Sequence, residues 1–168
     1  MKMLKKVAAV LLVAAMSLVM LTACGGGSSS VAKTDAQKLE DAYMVVFNTV
    51  LGKEYTNDAG LKESAKTAFN ANVAEDNSVK TVMGNISQSE TEMSMFFIPA
   101  QNSKAVGMTS EQIDAMSDEN AVKALAASYS QIMAANHISA DSVKAVGVYT
   151  VTKNDGKTYV ALAITVKR

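Results

Sequence analysis

The sequence predicts an α+β fold, a three-layer α-β-α sandwich whose small antiparallel sheet ends in a C-terminal hairpin. Apolar residues recur at spacings of three and four across 34–52 and again across 118–136, which is typical of helices that bury one face. Two β-rich runs, 145–153 and 157–167, are joined by Asn154-Asp155-Gly156, which contains a favoured turn pair. Both faces of this hairpin are apolar, so we expect a helix layer on each side of the sheet.

The register of the hairpin depends on its turn. If Asp155 and Gly156 are the two residues of a type I′ loop, Tyr149 and Val151 share one sheet face with Val160 and Leu162. The opposite face then carries Val148, Ala161 and Ala163.

Three helix starts are marked by capping residues. Thr34-Asp35-Ala36-Gln37 and Thr109-Ser110-Glu111-Gln112 each match a capping box, and Asp118 is a suitable N-cap for a long helix over 119–136. We expect the first helix to end at Gly52 and the short helix that begins at Thr109 to end near Met116.

The middle of the chain contains weaker signals. A second helix is predicted over 61–75, and the spacing of Val79, Val82, Met83 and Ile86 predicts a short helix that ends near 84–87. Aromatic and β-compatible residues over 92–98, followed by Pro99, predict a strand.

The N-terminus has the pattern of a secretory signal. Lys2, Lys5 and Lys6 precede a fifteen-residue apolar run over 7–21, and small residues follow at Thr22-Ala23. A membrane-spanning helix needs about twenty apolar residues, so this run is too short to remain as a span. An ordinary secretory signal with an incidental cysteine is the alternative reading.

Leu21-Thr22-Ala23-Cys24 resembles the lipobox of bacterial lipoproteins. The resemblance implies cleavage between Ala23 and Cys24, acylation of the Cys24 sulfur, and a protein held on the extracytoplasmic side of the cell membrane through its lipid. Residues 1–23 are then the signal peptide, and 24–33 are a flexible Gly/Ser tether with a reach of roughly 15–18 Å. Residues 34–168 form a single domain, and Gly25 with the tether favours a Gram-positive envelope.

Composition excludes several functions. Loss of Lys2, Lys5 and Lys6 leaves 13 basic against 16 acidic residues, a formal net charge of −3, so no basic field exists to bind nucleic acid. Because Cys24 is the only cysteine, the folded part has no disulfide, no thiolate nucleophile and no cysteine metal site.

The order of the elements resembles that of the CAP superfamily, the cysteine-rich secretory, antigen 5 and pathogenesis-related proteins. Residues 60–65 occupy the place of its second-helix Leu-x-x-x-Ala pattern, and 143–149 with 156–161 are similar to its closing strands. The family cavity contains two histidines and two acidic residues. Here only His137 exists, Trp is absent, and Gln131 stands where a cavity histidine would fall, so no cavity residue is carried over.

Two sets of residues are candidates for catalysis or metal binding. His137, at the end of the long helix, either interacts with exposed helix carbonyls or acts as a general base. Met93 and Met95, two apart on a strand, either fill the core or bind Cu(I). In both cases the structural role is favoured, so we predict no catalytic, cofactor-binding or metal-binding residue and no cofactor.

The sequence therefore favours a non-catalytic binding module at the cell envelope, whose partner is an envelope protein, a peptide or a glycan. One alternative is a divergent CAP-like hydrolase or metal-dependent enzyme that uses His137. The other is a carrier of a small apolar ligand in a methionine-lined cavity.

Overall fold

The computed structural model describes residues 32–168. The predicted signal peptide, Ala23, Cys24 and the tether up to residue 31 lie outside the described residues. The described chain is an α+β domain with helices on both faces of an antiparallel sheet, which confirms the predicted fold class. None of its helices is both long enough and apolar enough to cross a membrane.

The helices lie close to their predicted positions. Their bounds are α1 Asp35–Leu51, α2 Ala59–Asn72, α3 Ser110–Ala115 and α4 Glu119–Ala135, and a 3₁₀ turn covers Ala140–Ser142. The strands are β1 Met83–Gln88, β2 Glu92–Phe97, β3 Ala100–Gln101, β4 Lys104–Ala105, β5 Gly107–Met108, β6 Val143–Thr152 and β7 Thr158–Lys167.

The predicted caps are confirmed. In α1 the amide of Gln37 donates to Thr34 Oγ1 at 3.2 Å, and the amide of Thr34 donates to Gln37 Oε1 at 3.0 Å. Thr109 and Gln112 form the same reciprocal pair at the start of α3. The Asp118 carboxylate accepts from the second and third amides of α4. These side chains accept hydrogen bonds from first-turn amides that have no acceptor within the helix, which is why each helix begins there.

Strand β7 is the centre of the main sheet. It pairs antiparallel with β6 along its whole length on one edge, and with β5 and then β2 along the other. Strand β1 pairs with β2 and forms the outer edge. The two short strands β3 and β4 form a separate hairpin.

The predicted register of the terminal hairpin is wrong by one residue. The amide of Lys153 donates to the carbonyl of Lys157, and Gly156 has a φ of 74°, so the loop contains three residues, 154–156. A three-residue loop with a left-handed glycine is a common alternative to the two-residue turn. Tyr149 therefore faces Ala161, and Val160 and Leu162 lie on the opposite face. A shift of one residue exchanges the two faces of a strand, because side chains alternate.

The predicted helix over 79–87 is also wrong, since Met83–Gln88 is strand β1. Met83 lines the cavity on the α1 side of the sheet, whereas Ile86 packs against the core beneath α2, so the two residues lie on opposite faces of the strand despite their helical spacing. The long-range pairing with β2 overrides the local signal.

The hydrophobic core has two parts, one on each face of the sheet, and different helices cover them. Helices α1, α3 and α4 cover one face of the sheet, with a core that includes Leu39, Val46, Phe47, Leu125, Tyr129, Val146, Val148, Val160 and Leu162. Helix α2 covers the other face, with Ala65, Ala68, Phe69, Phe96, Tyr159, Ala161 and Ala163. Helix α2 approaches β6 so closely that a Cβ on Gly147 would lie 2.5 Å from the main chain of Leu61 and Lys62.

Candidate functional site

His137 lies on the exposed C-terminal end of α4, with a left-handed φ of 57°. Its amide donates to the carbonyl of Ala134, and the amide of Ile138 donates to that of Met133, which is the hydrogen-bond pattern of a Schellman motif. Within residues 32–168 its imidazole makes no hydrogen bond and no ion pair with a carboxylate. The orienting partner that a general base requires is therefore absent from the described chain.

Met93 and Met95 lie on the same face of β2, half-buried, and pack against the core beneath α1 and α4. Met95 lines an apolar cavity of about 50 Å³ between the sheet and the ends of α1 and α4, together with Met83 and Met133. An engineered cavity that binds benzene has a volume of about 150 Å³. The methionine-lined cavity holds at most a small alkyl group.

Tyr129 lines the same cavity and contributes a buried hydroxyl without a hydrogen-bond partner. Its ring packs edge-on against Tyr43 of α1, with centroids 6.0 Å apart. Burial, and then the neighbouring Tyr43 hydroxyl, raise the pKa of Tyr129 well above its usual value, and burial raises the pKa of Tyr43 to about 12. Both phenols are therefore protonated at neutral pH, so this part of the core carries no charge.

A larger cleft lies on the opposite face of the sheet. It has a volume of about 450 Å³ and opens between the end of α2 with its following loop, residues 69–77, and the β6–β7 turn, residues 151–155. Phe69, Val73 and Val151 supply an apolar side, and the remaining lining side chains are mostly amides, carboxylates and one lysine. Ligand pockets combine an apolar lining with a few polar groups that fix the orientation of the ligand, and this cleft offers both kinds of group with a larger polar share.

Lys153 joins the two walls of the cleft. Its Nζ donates to Asn77 Oδ1 at 2.6 Å and to the carbonyl oxygen of Ala74 at 3.1 Å, with Glu75 O at 3.4 Å. The ammonium also lies 5.5 Å from the centroid of the Tyr159 ring, within range of a cation–π interaction. All three ammonium protons thus have acceptors within the protein.

Asp155 is held by the second half of the same network. Its Oδ2 accepts from the Tyr159 hydroxyl and, at 3.2 Å, from Asn77 Nδ2, while Oδ1 accepts from the amide of Lys157 at 3.1 Å. The Tyr159 hydrogen bond is the main cause that lowers the pKa of Asp155. Burial, with the Asp155 hydrogen bond second, raises the pKa of Tyr159. The carboxylate is therefore ionised and the phenol protonated at neutral pH.

The loop that carries Asn77 is hydrogen-bonded to strand β4. Asn77 has a φ of 65°, and its carbonyl accepts from the amide of Ala105 at 2.7 Å. Lys104 Nζ donates to both Asp76 O and Asp76 Oδ2 at 2.8 Å. The Lys104 hydrogen bond, followed by that of Ser78, holds the pKa of Asp76 far below its usual range. These contacts hold the loop of Asn77 against β4.

Three exposed side chains at the cleft make no hydrogen bond within the described chain: Asn70, Glu75 and Asn154. Two amides and one carboxylate are therefore free to meet a ligand, while Lys153, Asn77 and Asp155 hold the frame. Within residues 32–168 no group of three or more histidine, cysteine, aspartate or glutamate side chains is arranged to hold a metal ion.

No pattern in the sequence predicted this cleft. Its two walls stand about eighty residues apart in the chain, so no local pattern joins them. The available signal was a concentration of asparagine at two chain reversals, Asn70, Asn72 and Asn77 in one and Asn154 in the other.

Comparisons with known proteins supply no further assignment: no family model, no curated protein and no solved structure matches the chain significantly. The resemblances to bacterial lipoproteins and to the CAP superfamily stay predictions from the sequence.

Proposed function

We propose that this protein is a lipid-anchored, extracytoplasmic and non-catalytic module that binds a component of the cell envelope in the cleft between α2 and the β6–β7 turn. The observation that carries the proposal is the cleft itself, a rigid frame held by Lys153, Asn77 and Asp155 beside free side chains. The exposed position of His137 and the small volume of the methionine-lined cavity both favour a binding module over an enzyme or an apolar carrier.

The position of the cleft relative to the tether supports the proposal. The start of α1 lies beside the end of β6, because Thr150 Oγ1 donates to the carbonyl of Ala36 at 2.8 Å. The helix has seventeen residues and is about 25 Å long. In the loop that follows its far end, the Tyr55 hydroxyl donates to the carbonyl of Val143 at the start of β6. The start of α1 and the β6–β7 turn therefore lie at the same end of the domain. An anchor attached ahead of residue 34 would hold this end, with the cleft, towards the membrane.

Binding is tested with full-length processed protein, extracted from membranes in detergent and sedimented with purified cell-wall material. The test variant is Asn70→Ala/Glu75→Ala/Asn154→Ala, which removes only side chains without internal hydrogen bonds. The matched control, Asn85→Ala/Gln88→Ala/Glu90→Ala, removes the same chemical groups from exposed positions on β1 and its turn.

We expect the natural protein and the control variant to sediment with the wall, and the cleft variant to lose at least tenfold in affinity. Equal sedimentation of all three proteins, or of none, would exclude the cleft as the binding site.

The anchor is tested separately. Mass spectrometry of the membrane-extracted protein is expected to show Cys24 as an acylated N-terminus, and Cys24→Ala is expected to prevent processing at that residue. A free thiol at Cys24 would contradict lipid anchoring and leave the cleft experiment unaffected.

A further inference from the structure

We infer that the ligand of the cleft is a neutral saccharide, an inference that rests on the proposed function and names its ligand class. The volume of about 450 Å³ falls within the range of about 300–1,000 Å³ for small-ligand sites and suits one or two sugar rings.

The charges of the cleft argue against an anionic ligand. Lys153 donates to three oxygens within the protein, and the Asp155 carboxylate accepts from Tyr159, Asn77 and the Lys157 amide. An anionic ligand would have to break the contacts of Lys153 or leave its own charge unpaired. The free carboxylate of Glu75 also disfavours an anion.

The free polar groups suit hydroxyls. Asn70 and Asn154 each carry a donor and an acceptor on one planar amide, and Glu75 carries two acceptors on one planar carboxylate. Adjacent hydroxyls of a sugar ring present a donor and an acceptor at matching separations, so one planar side chain can bind two of them. Two amides and a carboxylate therefore provide a set of partners for several hydroxyls.

The apolar side of the cleft suits the carbon-bound hydrogens of a sugar ring. Val73 and Val151 are half-buried there, and the Phe69 ring lies beneath them. Phe69 is in turn held by Tyr149, with ring centroids 6.0 Å apart. A sugar ring has one apolar face and a polar rim, which is the combination that this cleft offers.

The rigidity of the frame reduces the cost of binding. The left-handed conformation of Asn77 and the Lys104–Asp76 bonds hold one wall, and Lys153 ties it to the hairpin. A preformed site does not spend binding energy on ordering its own loops.

The test is calorimetric titration of the full-length detergent-solubilised protein with N-acetylglucosamine trimer and, separately, maltotriose. Inorganic phosphate and trialanine serve as the anionic and peptide probes. The natural protein, the cleft variant and the β1 control variant defined above are titrated with all four.

We expect at least one trisaccharide to bind the natural protein and the control alike, and the cleft variant to bind it at least tenfold more weakly. Because the ligand is uncharged, its Kd should change less than twofold between about 0.05 and 0.5 M NaCl, a range over which attraction between exposed charges is largely screened.

Three results would overturn the inference: neither trisaccharide binds the natural protein, the cleft variant binds as well as the natural protein, or only phosphate or trialanine binds. If wall sedimentation depends on the cleft while no trisaccharide binds, the proposed function stands and the saccharide inference alone fails.

Discussion

The side-chain amide of Asn57 forms hydrogen bonds with both the main-chain amide and the carbonyl of Val148, as a neighbouring strand would. Asn57 Nδ2 donates to the carbonyl of Val148 at 2.9 Å, and Asn57 Oδ1 accepts from its amide at 2.8 Å. The next residue continues the pattern, because the amide of Asp58 donates to the carbonyl of Val146 at 2.9 Å. The outer edge of β6 is therefore closed by a loop, which removes exposed groups that would pair with another chain.

Replacement of Asn57 should destabilise the domain. The Asn57 amide also donates to Glu40 Oε1 at 2.7 Å, and Glu40 in turn pairs with Lys62 at 2.6 Å. Asn57→Ala leaves the amide and carbonyl of Val148 without partners, so we expect a loss of about 2 kcal/mol in the free energy of unfolding. Urea denaturation followed by circular dichroism measures this.

The matched control is Asn85→Ala, at an exposed asparagine on β1, which should change the stability by less than about 0.5 kcal/mol. Equal effects of the two substitutions would show that the Asn57 bonds do not support the β6 edge.

His137→Gly should stabilise the domain. A residue with a β-carbon is strained at a φ of 57°, and glycine is not. We expect a gain of about 0.5–1 kcal/mol in the free energy of unfolding, measured by urea denaturation. His137→Ala keeps the β-carbon and should show no gain. A loss of stability in the glycine variant would mean that the imidazole makes a contact of its own.

Tyr129→Phe should also stabilise the domain, by about 1 kcal/mol, because it removes a buried hydroxyl that has no partner. Tyr55→Phe is the opposite case, since the Tyr55 hydroxyl donates to the carbonyl of Val143 at 2.9 Å, and its loss should cost about 1 kcal/mol. Thermal denaturation of both variants gives the comparison. Destabilisation by Tyr129→Phe would reveal a hydrogen bond to its hydroxyl.

The contribution of Asp155 to the stability of the fold should be lost in acid. The pKa of Asp155 is lower in the folded protein than its ordinary value of 3.8, so its ionised form stabilises the fold above about pH 4. That contribution should be lost as the pH falls through the lowered pKa. The difference in unfolding free energy between the natural protein and Asp155→Asn should therefore shrink from pH 5 to pH 2.

The Asn85→Ala variant, which removes no titratable group, should keep a constant difference from the natural protein over the same range. A pH-independent effect of Asp155→Asn would show that the Tyr159 hydrogen bond does not depend on the charge.

Structural features were predictable from the sequence where the residues that determine them lie close together in the chain. The pairs Thr34–Gln37 and Thr109–Gln112 were predictable because each cap joins residues three positions apart. The turn after Lys153 was predicted one residue too short, because two- and three-residue loops both accept Asp155-Gly156 and the choice depends on how β6 and β7 pack. The bulge in β1 exists only in its pairing with β2.

From the sequence alone came the helix starts, the apolar hairpin, the α+β class and the prediction of a lipid anchor, since each depends on residues close together in the chain. The cleft was decided by tertiary structure. Asn77 and Asp155 are 78 residues apart, and only the packing of α2 on the sheet and the hydrogen bonds of Lys153 bring them together. A binding site assembled from distant side chains has no local period, so its geometry appears only when the layers are packed.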